Sequence, residues 1–323
     1  MNKFLALTTI FPPSEAVEKF SKIADWQIVV AGDKKTPEDW HCNGVKFLSI
    51  NDQLNSDVKL LRDLPQNHYC RKMAAYIFAI KNSADIIAET DDDNIPLSNW
   101  GFPDFDGIYS NTSKNLGFIN IYNFFTDQKI WPRGLPLNKI NSDLFSELLK
   151  IEETKIGFWQ GLADDDPDVD AVYRLVFDNP CKFIHRAPVI LNSGTFSPTN
   201  TQNTCIRKEL FPLLYLPSTV SFRFTDILRG IVSQPVMQAA GYKTGFISST
   251  VYQKRNPHDY MKDFAQEIEM YQKSESALTI ASNVSRAEYS VSDNLYNVYS
   301  EYVKAGITKP EELNLLQEWL KLF

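Results

Sequence analysis

The stretch that most narrows the fold is residues 80–96, IKNSADIIAETDDDNIP. Asp85-Ile86-Ile87-Ala88 is an apolar run of strand length that leads straight into Glu89, Thr90, Asp91, Asp92, Asp93 and Asn94, with Pro96 closing the segment. Near-continuous hydrophobic runs mark strands buried on both faces, as in parallel sheets covered by helices. In open α/β sheets ligands sit beyond the carboxyl ends of the strands, so carboxylates there stand at a binding edge. Adjacent aspartates repel one another unless positive charge lies among them, and a hard divalent cation with oxygen ligands supplies it. Mn²⁺ or Mg²⁺ bridging a diphosphate fits, with Asp91 and Asp93 as the expected metal ligands. The plainer alternative is a solvated acidic turn closed by Asn94 and Pro96.

The residues upstream point to the same sheet. Residues 4–10 (FLALTTI) form a strand by their aromatic and β-branched content, ended by Pro12 and Pro13. Ser14 can cap a helix over 14–23 that places Ala16, Val17, Phe20 and Ile23 on one face, and residues 26–31 (WQIVVA) follow as a second strand. Strand, helix, strand is the opening of a right-handed parallel crossover, so Thr8, Thr9 and Asp33 share the ligand edge. Residues 45–50 give a third strand. A helix is expected over 69–82, with Met73, Ile77 and Ile80 at helical spacing. Arg71 and Lys72 lie in its first turns, where the helix dipole gains nothing from a cation, which suggests a pyrophosphate partner. Two solvated surface charges are the alternative.

Downstream, residues 116–125 (LGFINIYNFF) alternate like a strand, and the loop WPRGLPL is a rigid device for presenting Arg133. In DDDPDVD, Asp168 and Asp170 fall on one side of an extended segment, or Asp168 caps the helix that follows, capping being the safer role for at least one of the five aspartates. Residues 193–203 (SGTFSPTNTQN) offer neutral hydroxyls and amides, which suit sugar hydroxyls or an ordinary connection. In TDILRG, Asp226 and Arg229 lie one turn apart, as a cap and local ion pair or as catalytic groups. His258 could complete a metal site, although a lone histidine more often caps or packs. Helices are expected over 257–272, 285–305 and 309–323. In the last of these, Leu315, Trp319 and Leu322 form a stripe for core packing or for a homodimer contact.

Composition removes several classes of function. The formal net charge is −7 over 323 residues and no basic run is longer than two, which excludes nucleic-acid binding through a basic surface. Cys42, Cys70, Cys181 and Cys205 lie far apart with no zinc spacing and are expected to be reduced thiols. No stretch approaches ~20 consecutive apolar residues, so no transmembrane segment is expected. Residues 1–13 are too weakly hydrophobic for a secretory leader. The expectation is a cytoplasmic microbial protein.

Six blocks resemble, in this order, the STELLO-type glycosyltransferases: WQIVVAGDKKTP, IFAIKNSADIIAETDDDN, WPRGLPL, DPDVDAVYRL, VILNSGTFSPTNTQNT and TDILRG. Ordered blocks are far more specific than any single short motif. The resemblance runs over residues 4–252, with the helical tail outside it. A more distant similarity is to plant reversibly glycosylated polypeptides, which are nucleotide-sugar mutases with a triple-aspartate strand end. The resemblance implies an α/β fold: a GT-A-like, Rossmann-type nucleotide-sugar-binding domain with a mostly parallel central sheet at residues 1–252. A helical C-terminal appendage follows at 253–323.

What the resemblance implies for function is a metal-dependent glycosyltransferase. It would move a sugar from a nucleotide-sugar donor, a UDP-sugar, to a glycan or lipid-linked acceptor in bacterial surface polysaccharide synthesis. Asp91 and Asp93 become an Asp-x-Asp metal motif, joined by His258. Thr8, Thr9, Asp33, Arg71, Lys72, Asp92, Arg133 and Arg229 become donor contacts. Asp226 is the first choice for the general base, with Asp168 or Asp170 second. Two departures stand out. Better-known members carry a membrane anchor and a Golgi location, which this sequence does not suggest, and some have Asp-Asp-Arg where this chain has Asp91-Asp92-Asp93. A nucleotide-sugar mutase and a non-catalytic nucleotide-sugar-binding scaffold are the rival readings, since fold alone does not fix function.

Overall fold

The computed structural model describes residues 1–141, 149–255 and 258–323. It opens with β1 (Lys3–Thr9), α1 (Glu15–Phe20) and β2 (Trp26–Gly32). The Ser14 side chain accepts from the Val17 amide and starts α1, which buries Ala16, Val17 and Phe20. Next come β3 (Val45–Leu48), α2 (Ile50–Leu54) and α3 (Lys59–Asp63). The helix expected at 69–82 begins as a tight 3₁₀ turn, Tyr69–Lys72, and continues as α4 (Met73–Lys81) into β4 (Ile86–Thr90). β1 pairs in parallel with both β2 and β4, and β3 adds to β2. This is the parallel half of the sheet that the opening crossover implied.

The other half is mixed. It contains β5 (Asn94–Pro96), β6 (Asp106–Asn111), β8 (Lys150–Asp164), β9 (Val189–Leu191), β11 (Asn203–Arg207) and β12 (Lys243–Gln253). A separate two-stranded ribbon joins β7 (Gly117–Phe118) to β10 (Thr195–Phe196). The ten-stranded order is β3-β2-β1-β4-β11-β8-β6-β9-β12-β5, with a further parallel pairing of β8 and β12. β11 lies antiparallel to β4, with Asn203 opposite Thr90, so the amide-rich loop before β11 is folded beside the acidic strand end. The strand expected over 116–125 is only β7. Its remainder turns into a 3₁₀ helix, Ile121–Phe124, because the Asn120 side chain accepts from the Tyr122 amide.

The helices that follow are α5 (Ala171–Val176), α6 (Thr225–Ala239), α7 (Tyr260–Val284), α8 (Val291–Lys304) and α9 (Glu311–Leu320). Leu295, Tyr299, Leu316 and Trp319 belong to the same buried cluster as Phe4, Val29 and Ile87 of the sheet. The apolar stripe of α9 faces inward: Trp319 is fully buried and its indole donates to the Pro212 carbonyl at 2.8 Å. That leaves Trp319 no part in a homodimer contact. Among the described residues no helix is long and apolar enough to cross a membrane.

One ion pair fastens the sheet to α6. Glu89 of β4 is buried, meets Arg229 at 2.6 Å, and accepts from the Tyr76 and Thr204 hydroxyls. Breaking one side of such a pair leaves an uncompensated charge in the interior, at a cost of about 3–5 kcal/mol. Arg229→Met is therefore expected to lower unfolding stability by that amount in urea titration. The double variant Glu89→Gln/Arg229→Met is expected to recover much of the loss. A single-variant loss under about 1 kcal/mol would mean the pair does not anchor the strand.

Candidate active site

A cleft of about 690 Å³ opens beyond the ends of β1, β2 and β4. On the sheet side it is lined by Thr8, Thr9, Asp33 and Asp91 to Asp93, and across from them stand Arg133, Asp168, Arg223 and Asp226. The stretch after β12 and the start of α7 add Arg255, His258, Asp263 and Gln266. Most of the residues singled out in the sequence meet here.

The sheet edge is tightly wired. The Thr9 hydroxyl donates to Asp92 Oδ2, and the Ser14 hydroxyl donates to the Asp92 carbonyl at 2.5 Å. Asp33 accepts the Lys34 amide at 2.6 Å on one oxygen and the His68 amide at 3.0 Å on the other, so it holds two loops at the cleft floor. Lys72 is fully buried; its ammonium donates to Asp91 Oδ1 at 2.9 Å, to the Tyr69 hydroxyl at 2.9 Å and to the Thr201 carbonyl at 3.1 Å. Its three protons are spent on the protein. As a phosphate ligand Lys72 is therefore replaced by Lys72 as an internal counter-ion for Asp91. Asp93 accepts from the Gln253 amide at 2.9 Å, which ties the triplet to the end of β12.

Two other expected donor contacts face away. Arg71 is buried and donates to the carbonyls of Leu61 (2.7 Å), Leu64 (2.6 Å) and Pro65 (3.1 Å), satisfying the chain that leaves α3. Arg229 is committed to Glu89 and to the Asn200 carbonyl at 2.9 Å. Neither lines the cleft. Burial of polar side chains requires such partners, and a cation on a helix cannot be read from sequence as facing in or out.

Across the cleft, Arg133 forks between two carboxylates. Its Nε and Nη2 donate to Asp168 at 2.8 and 2.9 Å, and its Nη1 and Nη2 donate to Asp226 at 3.0 and 2.7 Å. Bidentate geometry of this kind is among the strongest charge-assisted pairings. Gly134 makes it possible: its φ is +93° and a Cβ there would lie 2.4 Å from Ile227. Burial pushes the Asp168 carboxyl up, but Arg133 outweighs it and holds the group below the usual carboxylate range. Asp170 sits outside the cleft. It caps α5 by accepting the Tyr173 amide at 2.8 Å and takes the Trp131 indole at 2.7 Å, so its place as a catalytic candidate falls away.

The amide-rich loop contributes less to the cleft than its composition suggested. Gln202 lines it, and Asn200 donates to Asp168 at 2.8 Å, while Ser197 and Thr199 are buried in the interior. His258 lines the cleft, but its Nδ1 lies 3.0 Å from Asp263 and, among the described residues, it is not gathered with Asp91 and Asp93 into the metal site expected of it. Arg223, Arg255, Asp263, His68, Phe222 and Gln253 were missed. They come from polar or aromatic stretches with no motif, and only the tertiary fold gathers them.

A hard cation fits the triplet in chemistry. Asp93 is pushed up to about 7, first by burial and then by the neighbouring charge of Asp91, and burial also raises Asp92. Carboxylates that resist ionisation side by side are a place where a cation is stabilising. Among the described residues no group of three or more His, Cys, Asp or Glu is gathered to enclose a metal. An open site of one or two carboxylates is what Mg²⁺ accepts when water and substrate phosphates complete its shell.

The fold and cleft define an α/β protein with a carboxylate-rich ligand edge. The family model of the STELLO glycosyltransferases matches residues 223–322. The Arabidopsis thaliana protein "Probable glycosyltransferase STELLO2" is 29% identical over 77% of this chain and 35% of its own length. "Probable glycosyltransferase STELLO1" from the same plant is 30% identical over 74% of this chain and 34% of its own length. The resemblance to STELLO glycosyltransferases therefore holds over most of the chain, and it extends into the C-terminal helices that the sequence blocks left outside. The chain spans about a third of the length of these relatives. Among solved structures, glucosyl-3-phosphoglycerate synthase from Mycobacterium tuberculosis, crystallised with Mn²⁺, UDP-glucose and phosphoglyceric acid, overlaps 85% of this chain and 79% of its own. Its TM-score is 0.43 and its identity 12%, an overlap too loose to carry any argument about chemistry.

The raised Asp93 gives a pH test in metal-free buffer. Its folded-state value lies above the ordinary aspartate value of 3.8, so between these limits the folded chain holds more protons than the unfolded one. Its contribution is present at low pH and is lost as pH rises toward about 7. Asp93→Asn is expected to match the parent's melting temperature near pH 4 and exceed it near pH 8. Parallel curves across that range would show that Asp93 does not titrate there.

Proposed function

We propose that the chain is a metal-dependent glycosyltransferase using a nucleotide-sugar donor. The observation that carries this is the charge balance of the cleft. Its lining holds Asp33, Asp91, Asp92, Asp93, Asp168, Asp226 and Asp263 against Lys35, Arg133, Arg223 and Arg255 as permanent cations. Lys72 behind Asp91 adds one more positive charge. The sheet edge gathers four of these carboxylates, Asp33, Asp91, Asp92 and Asp93, and a diphosphate is repelled there unless a cation comes with it. A divalent ion held by Asp91 and Asp93 would neutralise the diphosphate leaving group as a Lewis acid.

The chain's own residues divide the remaining work. Asp33, held by the Lys34 and His68 amides, stands with Thr8 and Thr9 where the nucleoside would lie. Asp92, fixed by Thr9 and Ser14, keeps the β1 end and the triplet in register. Lys72 orients Asp91 and leaves its second oxygen to the cation. Asp226 accepts two bonds from Arg133, and a carboxylate has about four acceptor positions, so it keeps capacity for an acceptor hydroxyl. Asp168, which also takes Asn200, positions Arg133. The acceptor we propose is a glycan or lipid-linked hydroxyl. A bacterial surface-polysaccharide role would set this chain apart from its matched relatives, which are plant proteins.

The test is binding of UDP-sugars followed by melting temperature, with and without Mn²⁺ or Mg²⁺. A ligand at 100 times its Kd stabilises by about 2.7 kcal/mol. The metal is expected to enlarge the UDP-sugar shift in the parent chain, and Asp91→Asn/Asp93→Asn is expected to remove that enlargement. A shift indifferent to metal, or one retained in the double variant, would reject the assignment. Product analysis with no acceptor then separates a transferase from a mutase.

A further inference from the structure

Arg223, just before α6, and Arg255, just after β12, bring positive charge to the cleft that the protein itself does not fully use. Arg255 lines the cleft with its side chain only 9% exposed, yet among the described residues it makes no hydrogen bond, and its Nε is buried without a partner. Its two nearest carboxylates, Asp166 and Asp263, each stand 3.8 Å from a guanidinium nitrogen, beyond hydrogen-bond range. Arg223 reaches the same Asp263 oxygen at 3.6 Å, and the His258 imidazole reaches it at 3.0 Å. One carboxylate oxygen thus stands at the centre of two guanidinium groups and a ring nitrogen, and it satisfies only the last at good distance. Buried guanidinium groups ordinarily have their protons matched, because an unmade bond to a charged group is expensive.

We infer that Arg255 and Arg223, with His258 beside them, form an oxyanion subsite that takes a phosphate-class group of a substrate independently of the metal. A phosphate offers several acceptor oxygens and the guanidinium fork matches it in pairs. Burial lowers Arg255's hold on its proton, and Arg174 and Arg223 act in the same direction, so an anion entering there relieves repulsion among cations. Glu267 keeps Arg223 in place through its Nε at 2.6 Å and leaves the outer nitrogens to the cleft. This inference rests on the cleft being the substrate site. The group bound is the donor's diphosphate or an anionic group carried by the acceptor; the chemistry of recognition is the same.

The probe is inorganic phosphate added in EDTA at constant ionic strength, with chloride as the control, followed by melting temperature. Phosphate is expected to stabilise Asp91→Asn/Asp93→Asn at least as much as the parent chain, since the metal is not involved and the variant removes negative charge that acts on Arg255. Arg255→Gln is expected to weaken the apparent affinity about tenfold or more, the loss of a charge-assisted bond. Arg255→Lys, which keeps the charge without the fork, is expected to fall between and serves if the Gln variant does not fold. No phosphate-specific stabilisation of the parent chain, or an equal response in Arg255→Gln and the parent, overturns the inference while leaving the metal-dependent donor reading intact. When phosphate does bind, adding UDP in EDTA identifies its owner. Competition assigns the subsite to the donor diphosphate, and additive stabilisation assigns it to the acceptor.

Discussion

The end of β4 is held by cations that lie inside the protein. Arg229 meets Glu89, the last residue but one of the strand, and Lys72 meets Asp91 two residues on, where the chain breaks into the cleft. Each places a carboxylate by charge and not by packing alone. Without these partners, a strand that ends in Glu-Thr-Asp-Asp-Asp would carry its negative charge into a low-dielectric edge with no compensation. Because Lys72 comes from the turn that opens α4 and Arg229 from α6, the acidic edge is fixed by two helices that pack into the same buried cluster. The Tyr69 hydroxyl, 2.5 Å from Asp91, adds a neutral donor to the same oxygen.

The same device recurs across the cleft in a different form. Arg133 serves two carboxylates at once, and it can do so because Gly134 lets the loop come within contact of Ile227 on α6. Arg133 also donates to the Arg223 carbonyl, which pins the start of α6 to the loop. A group so tied does not wander when a substrate enters, and against the pull of burial it holds the Asp168 carboxyl below the usual carboxylate range.

Much of this arrangement was legible in the residues. The apolar run into the aspartates marked β4 and its edge, and the strand, helix, strand opening marked the parallel half of the sheet, because both depend on local pattern. Arg133 was legible as a presented residue because prolines and a glycine around it make a stiff loop. Arg71 and Arg229 were misread for one physical reason: whether a cation on a helix faces solvent, a ligand or an interior carbonyl is decided by what packs against it. Asp168 and Asp170 lie two apart in one acidic run, and only the α5 start chooses which of them caps. β8, the longest strand, was not assigned, since KIEETKIGFWQGLAD passes from a polar edge to a buried centre and never settles into one period. Arg223, Arg255 and Asp263 reach the cleft through contacts that no short motif records.

The C-terminal helices bear on the chemistry through Asp263 and Gln266, which line the cleft, and through the buried Glu267 behind them. Glu267 of α7 accepts from Arg223 at 2.6 Å, from the Ala171 amide at 2.7 Å and from the Tyr271 hydroxyl at 2.6 Å. It therefore joins the first turn of α5, the lead-in to α6 and α7 itself. The loop carrying Asp168 ends at Asp170, the cap of that same first turn, so the position of Asp168 depends on how α7 seats. A shift of α7 would move Arg223 and the Arg133 fork together, because Arg223 is gripped by Glu267 through its side chain and by Arg133 through its carbonyl. Helices that look from sequence like packing material are thus a structural wall of the cleft, and the wall carries its own charge pattern. An acidic sheet edge shares one opening with the Arg223 and Arg255 guanidinium groups that stand beside α7. That polarity suits a ligand with a cation at one end of its phosphate chemistry and bare oxygens at the other.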